Sequence, residues 1–347
     1  MNKPRFYVGI DVASATFTSA VGSMQSHWEI VVQPATFANE YDSFAKYHHW
    51  LGEHGVLAEN SVICMEATGV YNEVLASFLV TNGYRVAIEP PLKVKRAFKP
   101  VGHKSDSVDS KQISEYAYRF WDQLALWAPR KEILEQIKTL LATREQFVVE
   151  KGGHQNSLRA LKRKLVRTLL AEQMHERAII ELNRHIQELE KEIERLISQD
   201  PDLRNMLALL ISVPGVGLLL AAQMLVVFQS APQPYNPKSL AAFIGICPYE
   251  DTSGTSHHQT PTSRHYGPPA LRKLLFLAAM SISIHYPQFR LYFLRKIQEG
   301  KPKQLVINNL ANKLLKIMVA VVRTRTKFIP NYQSVNPGLL KLALTKS

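Results

Sequence analysis

Hydrophobic positions in the first ninety residues come in short runs broken by glycine, serine and proline, and those runs predict alternating strands and helices. "RFYVGIDVAS", "TFTSAVGS" and "HWEIVVQPATFA" read as three consecutive strands, the first two joined by a tight turn. "EYDSFAKYHHWLGEHG" reads as a helix closed by glycine. "SVICMEA" is a buried strand, "YNEVLASFLVTNG" a second glycine-ended helix and "YRVAIEP" a further strand. Three antiparallel strands followed by alternating strand and helix predict a mixed α/β sheet covered by helices. Pro90, Pro91 and Pro100 then punctuate a basic loop carrying Lys93, Lys95, Arg96, Lys99 and Lys104, after which "SDSVDSKQISEYAYRF" begins a helix capped by Ser105.

From about residue 130 to 200 the period is helical throughout. Ile179, Leu182, Ile186, Leu189, Ile193 and Leu196 alternate spacings of three and four, the seam of a coiled coil. A helical hairpin projecting from the body and a dimerising coiled coil both satisfy that seam. Gly152-Gly153 is expected to interrupt or loop the preceding helix. Arg159, Arg163 and Arg167 share one face with Lys162 and Lys164 beside them, a pattern that suits a solvated helix face as well as phosphate binding. Further on, "LLISVPGVGLLLAAQML" has the form of a helix-hairpin-helix. Its turn, with Gly215 and Gly217, either aims backbone amides at a nucleic-acid phosphate or joins an ordinary packed pair. The chain is thus expected to divide into residues 1–129, a helical linker 130–200, a region 201–330 and a tail 331–347.

Charge sharpens the division. Of the net +13, residues 1–129 carry −2, residues 130–200 carry +2, and residues 201–347 carry the full +13, with 17 Lys and Arg against 4 Asp and Glu. A polyanion such as nucleic acid is the natural partner for that surface. Cys64 and Cys247 sit in separate apolar stretches and suggest no disulfide framework, which fits a reducing cytoplasm. The N-terminus lacks the basic-then-apolar pattern of a signal peptide. Asn205 to Pro237 is free of Asp, Glu, Lys and Arg and long enough to span a bilayer. Pro214-Gly215-Val216-Gly217 cuts that stretch into two pieces of hairpin length, and no lipidation motif accompanies it, so no membrane role is expected.

Two constellations carry chemistry. Asp11 lies inside an apolar strand, where a lone charge costs several kcal/mol unless compensated. Glu66 ends the apolar "SVICME", and Asp106 and Asp109 stand three apart at the start of a helix, on one face. Neighbouring strands and a helix N-terminus laid across them can gather four carboxylates, and Mg²⁺ or Mn²⁺ would relieve their repulsion. Singly, each acid also has a bland reading: a favourable helix-dipole charge or a loop start. The second constellation, "GICPYEDTSGTSHH", puts Ser253-Gly254 on a flexible loop. Its hydroxyl can attack a phosphate given charge neutralisation from Arg264, Arg272 or a metal, with Lys273 in the same basic stretch; a plain turn is the alternative. His257 and His258 have no zinc spacing and suit surface or phosphate contacts.

With these residues in hand, the chain resembles the Asp-Glu-Asp-Asp transposases of bacterial insertion sequences, the insertion sequence one-ten family, which includes the Piv/MooV DNA invertases. The resemblance covers nearly the whole chain. It rests on Gly9-Ile10-Asp11-Val12, Met65-Glu66-Ala67-Thr68-Gly69-Val70-Tyr71 and Ser105-Asp106-Ser107-Val108-Asp109. Toward the C-terminus it rests on Val213-Pro214-Gly215-Val216-Gly217, Phe243-Ile244-Gly245-Ile246-Cys247-Pro248 and Ser253-Gly254. It implies a ribonuclease-H-like (RuvC-like) α/β N-terminal domain, a coiled-coil linker and a mainly α C-terminal transposase domain. It further implies that Asp11, Glu66, Asp106 and Asp109 hold Mg²⁺ and that Ser253 is a nucleophile forming a covalent phosphoserine link to cleaved DNA. Other implied partners are a noncoding bridge RNA acting as guide and further copies of the chain, as a dimer or tetramer, with acid and serine sites meeting between protomers. Two departures stand out. Thr255-Ser256-His257-His258 replaces the usual Gly and Lys after Ser-Gly, and Lys104-Ser105 stands for the usual basic residue and threonine.

Overall fold

The first three apolar runs form strands β1 (Phe6–Val12), β2 (Thr16–Met24) and β3 (Trp28–Ala38), folded into an antiparallel meander. Helix α1 (Tyr41–Glu53) leads to β4 (Ser61–Glu66). A 3₁₀ turn (Gly69–Asn72) and α2 (Glu73–Thr81) return the chain to β5 (Val86–Glu89). β4 pairs parallel with β1, and β5 parallel with β4, giving one mixed sheet in the order β3-β2-β1-β4-β5. The computed structural model describes residues 3–67, 69–98, 105–129, 131–230, 234–253, 257–263 and 267–330. The chain divides into two compact units, Met1–Pro129 and Arg130–Ser347.

In the first unit, strand alternation sends Val8, Ile10, Ile63, Met65 and Val86 to one face of the sheet, against Phe44, Tyr47 and Leu51 of α1 and Leu75, Ala76 and Leu79 of α2. Tyr7, Val62 and Cys64 point the other way, to Ile113, Tyr116 and Ala117 of α4 (Asp106–Arg119). Ser105 caps α4, its side chain accepting from the Val108 amide at 3.3 Å. The stretch expected to be a basic loop contains a short helix, α3 (Pro91–Arg96), because Pro91 at its first turn loses no hydrogen bond there and fixes a helical φ. Lys93, Lys95 and Arg96 therefore sit on a helix.

The second unit is mostly helical. α5 (Glu132–Leu161) and α6 (Leu169–Gln199) pair as a hairpin, and Ile186, Ile193 and Leu196 of the seam are buried. α5 runs unbroken through Gly152-Gly153, contrary to expectation. Both glycines face open space, and pairing along thirty residues outweighs a helix penalty of about 1 kcal/mol each. The arginine triplet also differs from the expected single helix face: Arg159 ends α5, whereas Arg163 and Arg167 lie in the connector after it. Leu134, Ile137, Leu141, Ile193 and Ile197 join the core formed by α7 (Pro201–Ile211), α8 (Leu218–Ser230), α9 (Pro237–Ile244), α10 (Pro269–His285), α11 (Pro287–Gln298) and α12 (Lys303–Thr324).

Two features of this unit bear on the site. "PYEDTS" and "HHQTPTS" form an antiparallel ribbon, β6 (Pro248–Ser253) with β7 (His257–Ser263), where a loop was expected. Its threonines and tyrosine favour extended backbone despite the polar composition. Among the described residues α12 alone is long and apolar enough to cross a membrane, yet Leu310, Leu314, Met318 and Val322 bury its apolar stripe in the helical core.

Candidate active site

Asp11 is the sixth residue of β1 and half-buried, opposite Thr18 of β2. The parallel register Ile10↔Met65 carries one step further to put Asp11 beside Glu66, the last residue of β4. Glu66 in turn sits opposite Glu89, the last residue of β5. Alternation places all three on the face that also carries Tyr7 and Cys64, the face covered by α4. The strand ends are pinned here, since the Ala67 amide donates to the Glu89 carbonyl at 2.9 Å and Asn72 Nδ2 to the Glu66 carbonyl at 3.0 Å.

α4 crosses β1 in the opposite direction and very closely. A Cβ on Gly9 would lie 2.1 Å from the Ser114 nitrogen and 2.2 Å from the Ser110 oxygen, so only glycine fits. Ser114 Oγ donates to the Tyr7 carbonyl at 2.7 Å. Ser114 thus meets Tyr7, and Ser110 and Ser114 meet Gly9. Two strand residues advance about 6.6 Å and four helix residues about 6 Å, so the first turn of α4 arrives at the Asp11 end of β1. Asp106 stands one turn before Ser110 on the sheet-facing stripe, and Asp109 one turn before Ile113.

Asp11 and Glu66 therefore share one end and one face of the sheet, and the first turn of α4, which carries Asp106 and Asp109, runs toward that end. Among the described residues, however, no three Asp, Glu, His or Cys side chains already close into a metal-holding group. The donor set consists of carboxylate oxygens, which suits Mg²⁺ or Mn²⁺ rather than a soft metal.

Glu89 escaped the sequence reading although "VAIE" repeats the apolar-run-then-acid signal of "ICME". It is 4% exposed and paired with Lys93 Nζ at 2.8 Å. Hydrogen bonding to Glu89 holds the Lys93 ammonium above its usual range despite partial burial. Burial first, then the charges of Glu89 and Glu66, push the Cys64 thiol well up. Lys93, expected to touch nucleic acid, is thus engaged by a buried carboxylate.

Ser253 closes β6 opposite His257, the first residue of β7; residues 254–256 between them lie outside the described residues. The base of this ribbon is held firmly. Arg272 donates to the carbonyls of Ile244 (3.1 Å) and Gly267 (3.3 Å), while Asn308 and Asn312 of α12 donate to the Ile246 carbonyl at 3.1 and 3.0 Å. The asparagines carried no sequence signal beyond their helical spacing.

The remaining predicted contacts divide. Arg167 is bonded twice to Glu172, Lys273 to Glu145, and Arg159 to Asn156. Lys95, Arg96 and Arg163 are exposed or nearly so. Lys99, Lys104 and Arg264 lie outside the described residues. Gly215, at φ 76°, turns toward α10, where a Cβ would stand 2.6 Å from Ile282 Cγ2, whereas Gly217 faces open space.

Residues 8–167 match a transposase family of the Asp-Glu-Asp-Asp IS110 type, and residues 207–294 match the family described as "Transposase IS116/IS110/IS902 family". The pilin gene-inverting proteins of Moraxella lacunata and Moraxella bovis are each 28% identical over 328 residues, 93% of this chain and 97% of theirs. An IS110 insertion-element protein of Streptomyces coelicolor is 30% identical over 155 residues, 45% of this chain and 36% of its own.

Proposed function

Because the chain belongs to the IS110 family of transposases and has DNA transposase/recombinase activity, we propose that it cuts and rejoins DNA through Ser253, with Asp11, Glu66, Asp106 and Asp109 holding Mg²⁺ or Mn²⁺. The observation that carries this reading is the convergence of β1, β4 and the first turn of α4 on one end of the sheet. The strand order β3-β2-β1-β4-β5, with one antiparallel meander and two parallel additions, supports a ribonuclease-H-like, RuvC-like first unit.

In this reading Ser253 Oγ bonds to the phosphorus while a phosphorus–oxygen bond of the DNA backbone breaks. The serine proton is given up and the leaving sugar oxygen gains one, leaving a phosphoserine link that a second strand's hydroxyl resolves by the reverse exchange. A divalent ion, when bound, supplies charge stabilisation at the phosphate oxygens. The carboxylates hold that ion, and the ribbon presents the serine. The basic residues of 201–347 attract DNA and a noncoding bridge RNA acting as guide. The chain acts as a homo-oligomer, dimer or tetramer, and inversion of DNA, named in the Moraxella relatives, is one outcome open to it.

The test is a trapped protein–DNA adduct on element-end DNA with RNA and Mg²⁺. The adduct is expected in the wild type and absent in Ser253→Ala. Cleavage that survives Ser253→Ala but is lost in Asp11→Asn would move the nucleophile to water, as in a metal-dependent nuclease or junction resolvase. Absence of any cleavage by the wild type would leave a nucleic-acid-binding protein.

A further inference from the structure

Among the described residues, most of the basic side chains that the sequence marks are already answered by an acid or a carbonyl. A cluster on α11 and α12 is different. Lys313 Nζ stands 4.1 Å from the centre of the Tyr292 ring, and the Arg295 guanidinium carbon 5.7 Å from the same centre. Lys316, three residues after Lys313, adds a third cation beside them. Lys313, Lys316 and Arg323 are all exposed and recur at i, i+3 and i+10, a single stripe about 15 Å long on α12. The carboxylate near this group, Glu299, is 3.8 Å from Arg295 and bonded at 2.5 Å to Lys296. Among the described residues no acid pairs with Lys313 or Lys316.

Holding these cations together is unfavourable in the free protein. Partial burial, then Arg295, then Lys316, all lower the affinity of the Lys313 amine for its proton. The tyrosine face offsets part of that repulsion but supplies no counter-charge. A polyanion would supply it, and the spacing of several cations along one exposed stripe suits successive backbone phosphates better than a single small anion.

We propose that Tyr292, Arg295, Lys313 and Lys316 form a nucleic-acid backbone-binding patch on the α11–α12 face. This rests on the reading of the chain as a nucleic-acid-processing enzyme. The patch recognises phosphate without reading bases, and DNA and guide RNA offer the same chemistry.

The test uses the full-length protein in fluorescence anisotropy with a labelled DNA duplex in one arm and a labelled single-stranded RNA in the other, each across a salt series. Lys313→Ala/Lys316→Ala is compared with wild type and with Lys46→Ala, an exposed lysine on α1. In the arm that uses the patch, the slope of log affinity against log salt is expected to fall by about 1.8 for duplex or about 1.4 for single-stranded RNA when two contacts are lost. Lys46→Ala should leave it unchanged. Thermal melting serves as the folding control. A double variant indistinguishable from Lys46→Ala in both arms overturns the patch. Failure of the wild type to bind either nucleic acid would instead overturn the functional reading beneath it.

Discussion

Gly9→Ala separates the two halves of the acid set with a single methyl group. That methyl would stand 2.1 Å from the Ser114 nitrogen, 2.2 Å from the Ser110 oxygen and 2.8 Å from the Ile113 carbonyl carbon. All three are backbone atoms, so no side chain can rotate away. Ordinary contact begins at 3.4 Å, and α4 must therefore retreat by roughly 1 Å from a close-packed interface. Overpacking of this kind costs about 1–3 kcal/mol. Weakening of the Ser114 Oγ bond to the Tyr7 carbonyl adds about 1 kcal/mol. A domain with about 5–15 kcal/mol of stability survives such a loss.

The consequence for the site is larger. Asp106 and Asp109 move with α4, whereas Asp11 and Glu66 stay with the sheet. A misplacement of about 1 Å costs about 10²-fold in rate. Gly9→Ala is therefore expected to cleave element-end DNA about 10²-fold more slowly at a temperature where circular dichroism shows it fully folded. Urea melts followed by tryptophan fluorescence give the stability loss alongside. Wild-type cleavage by Gly9→Ala, or a loss no greater than its unfolded fraction, would refute the argument that α4 positions half of the site.

Other perturbations test separate links. Gly153→Ala on α5 meets no atom within 4 Å and should raise stability by about 1 kcal/mol in urea melts; a destabilised variant would contradict an uninterrupted α5. Lys93→Met strands the buried Glu89 carboxylate and, allowing for the solvent exposure of Lys93, should cost about 1–2 kcal/mol. Adding Glu89→Gln should return most of that loss, and additive losses in the double variant would dismiss the pair as a stabilising unit. Asp200 caps α7, and the Leu203 amide, followed by Lys131, holds its carboxyl below the usual range. Its contribution, about 1 kcal/mol by comparison with Asp200→Ala, is present above its unfolded pKa of about 3.9 and fades as pH falls through the lower folded value. Thermal melts at pH 7 and pH 2 should show the gap between wild type and variant closing; a gap that widens in acid would reverse the assignment.

Apart from α3, the strands and helices of the first unit were legible because each buries a face whose period is written locally. β1 to β5 and α4 appear where the apolar runs and Ser105 place them. What could not be read was the pairing between distant segments. The adjacency of Asp11 and Glu66 depends on a parallel register between residues more than fifty apart, and the close approach of α4 to β1 depends on one glycine. Local periodicity also misjudged α5, since a double glycine is a breaker only when no partner helix holds the backbone. The β6–β7 ribbon was missed because its residues are polar on both sides, which removes the alternation that marks a half-buried strand.

Basic charge shows the same limit from the other side. Composition located the excess of cations in residues 201–347 but could not distinguish those that hold the protein together from those left to meet a partner. Arg272 donates from Nη1 to the carbonyls of Ile244 and Gly267, and together with Asn308 and Asn312 it fixes both sides of the base of the ribbon that ends in Ser253. Its loss is therefore expected to loosen the ribbon that ends in Ser253. Among the described residues no acid pairs with Lys313 or Lys316, which no motif marks and which stand on an exposed helix face. Basic residues in this unit thus divide by whether an internal acceptor reaches them.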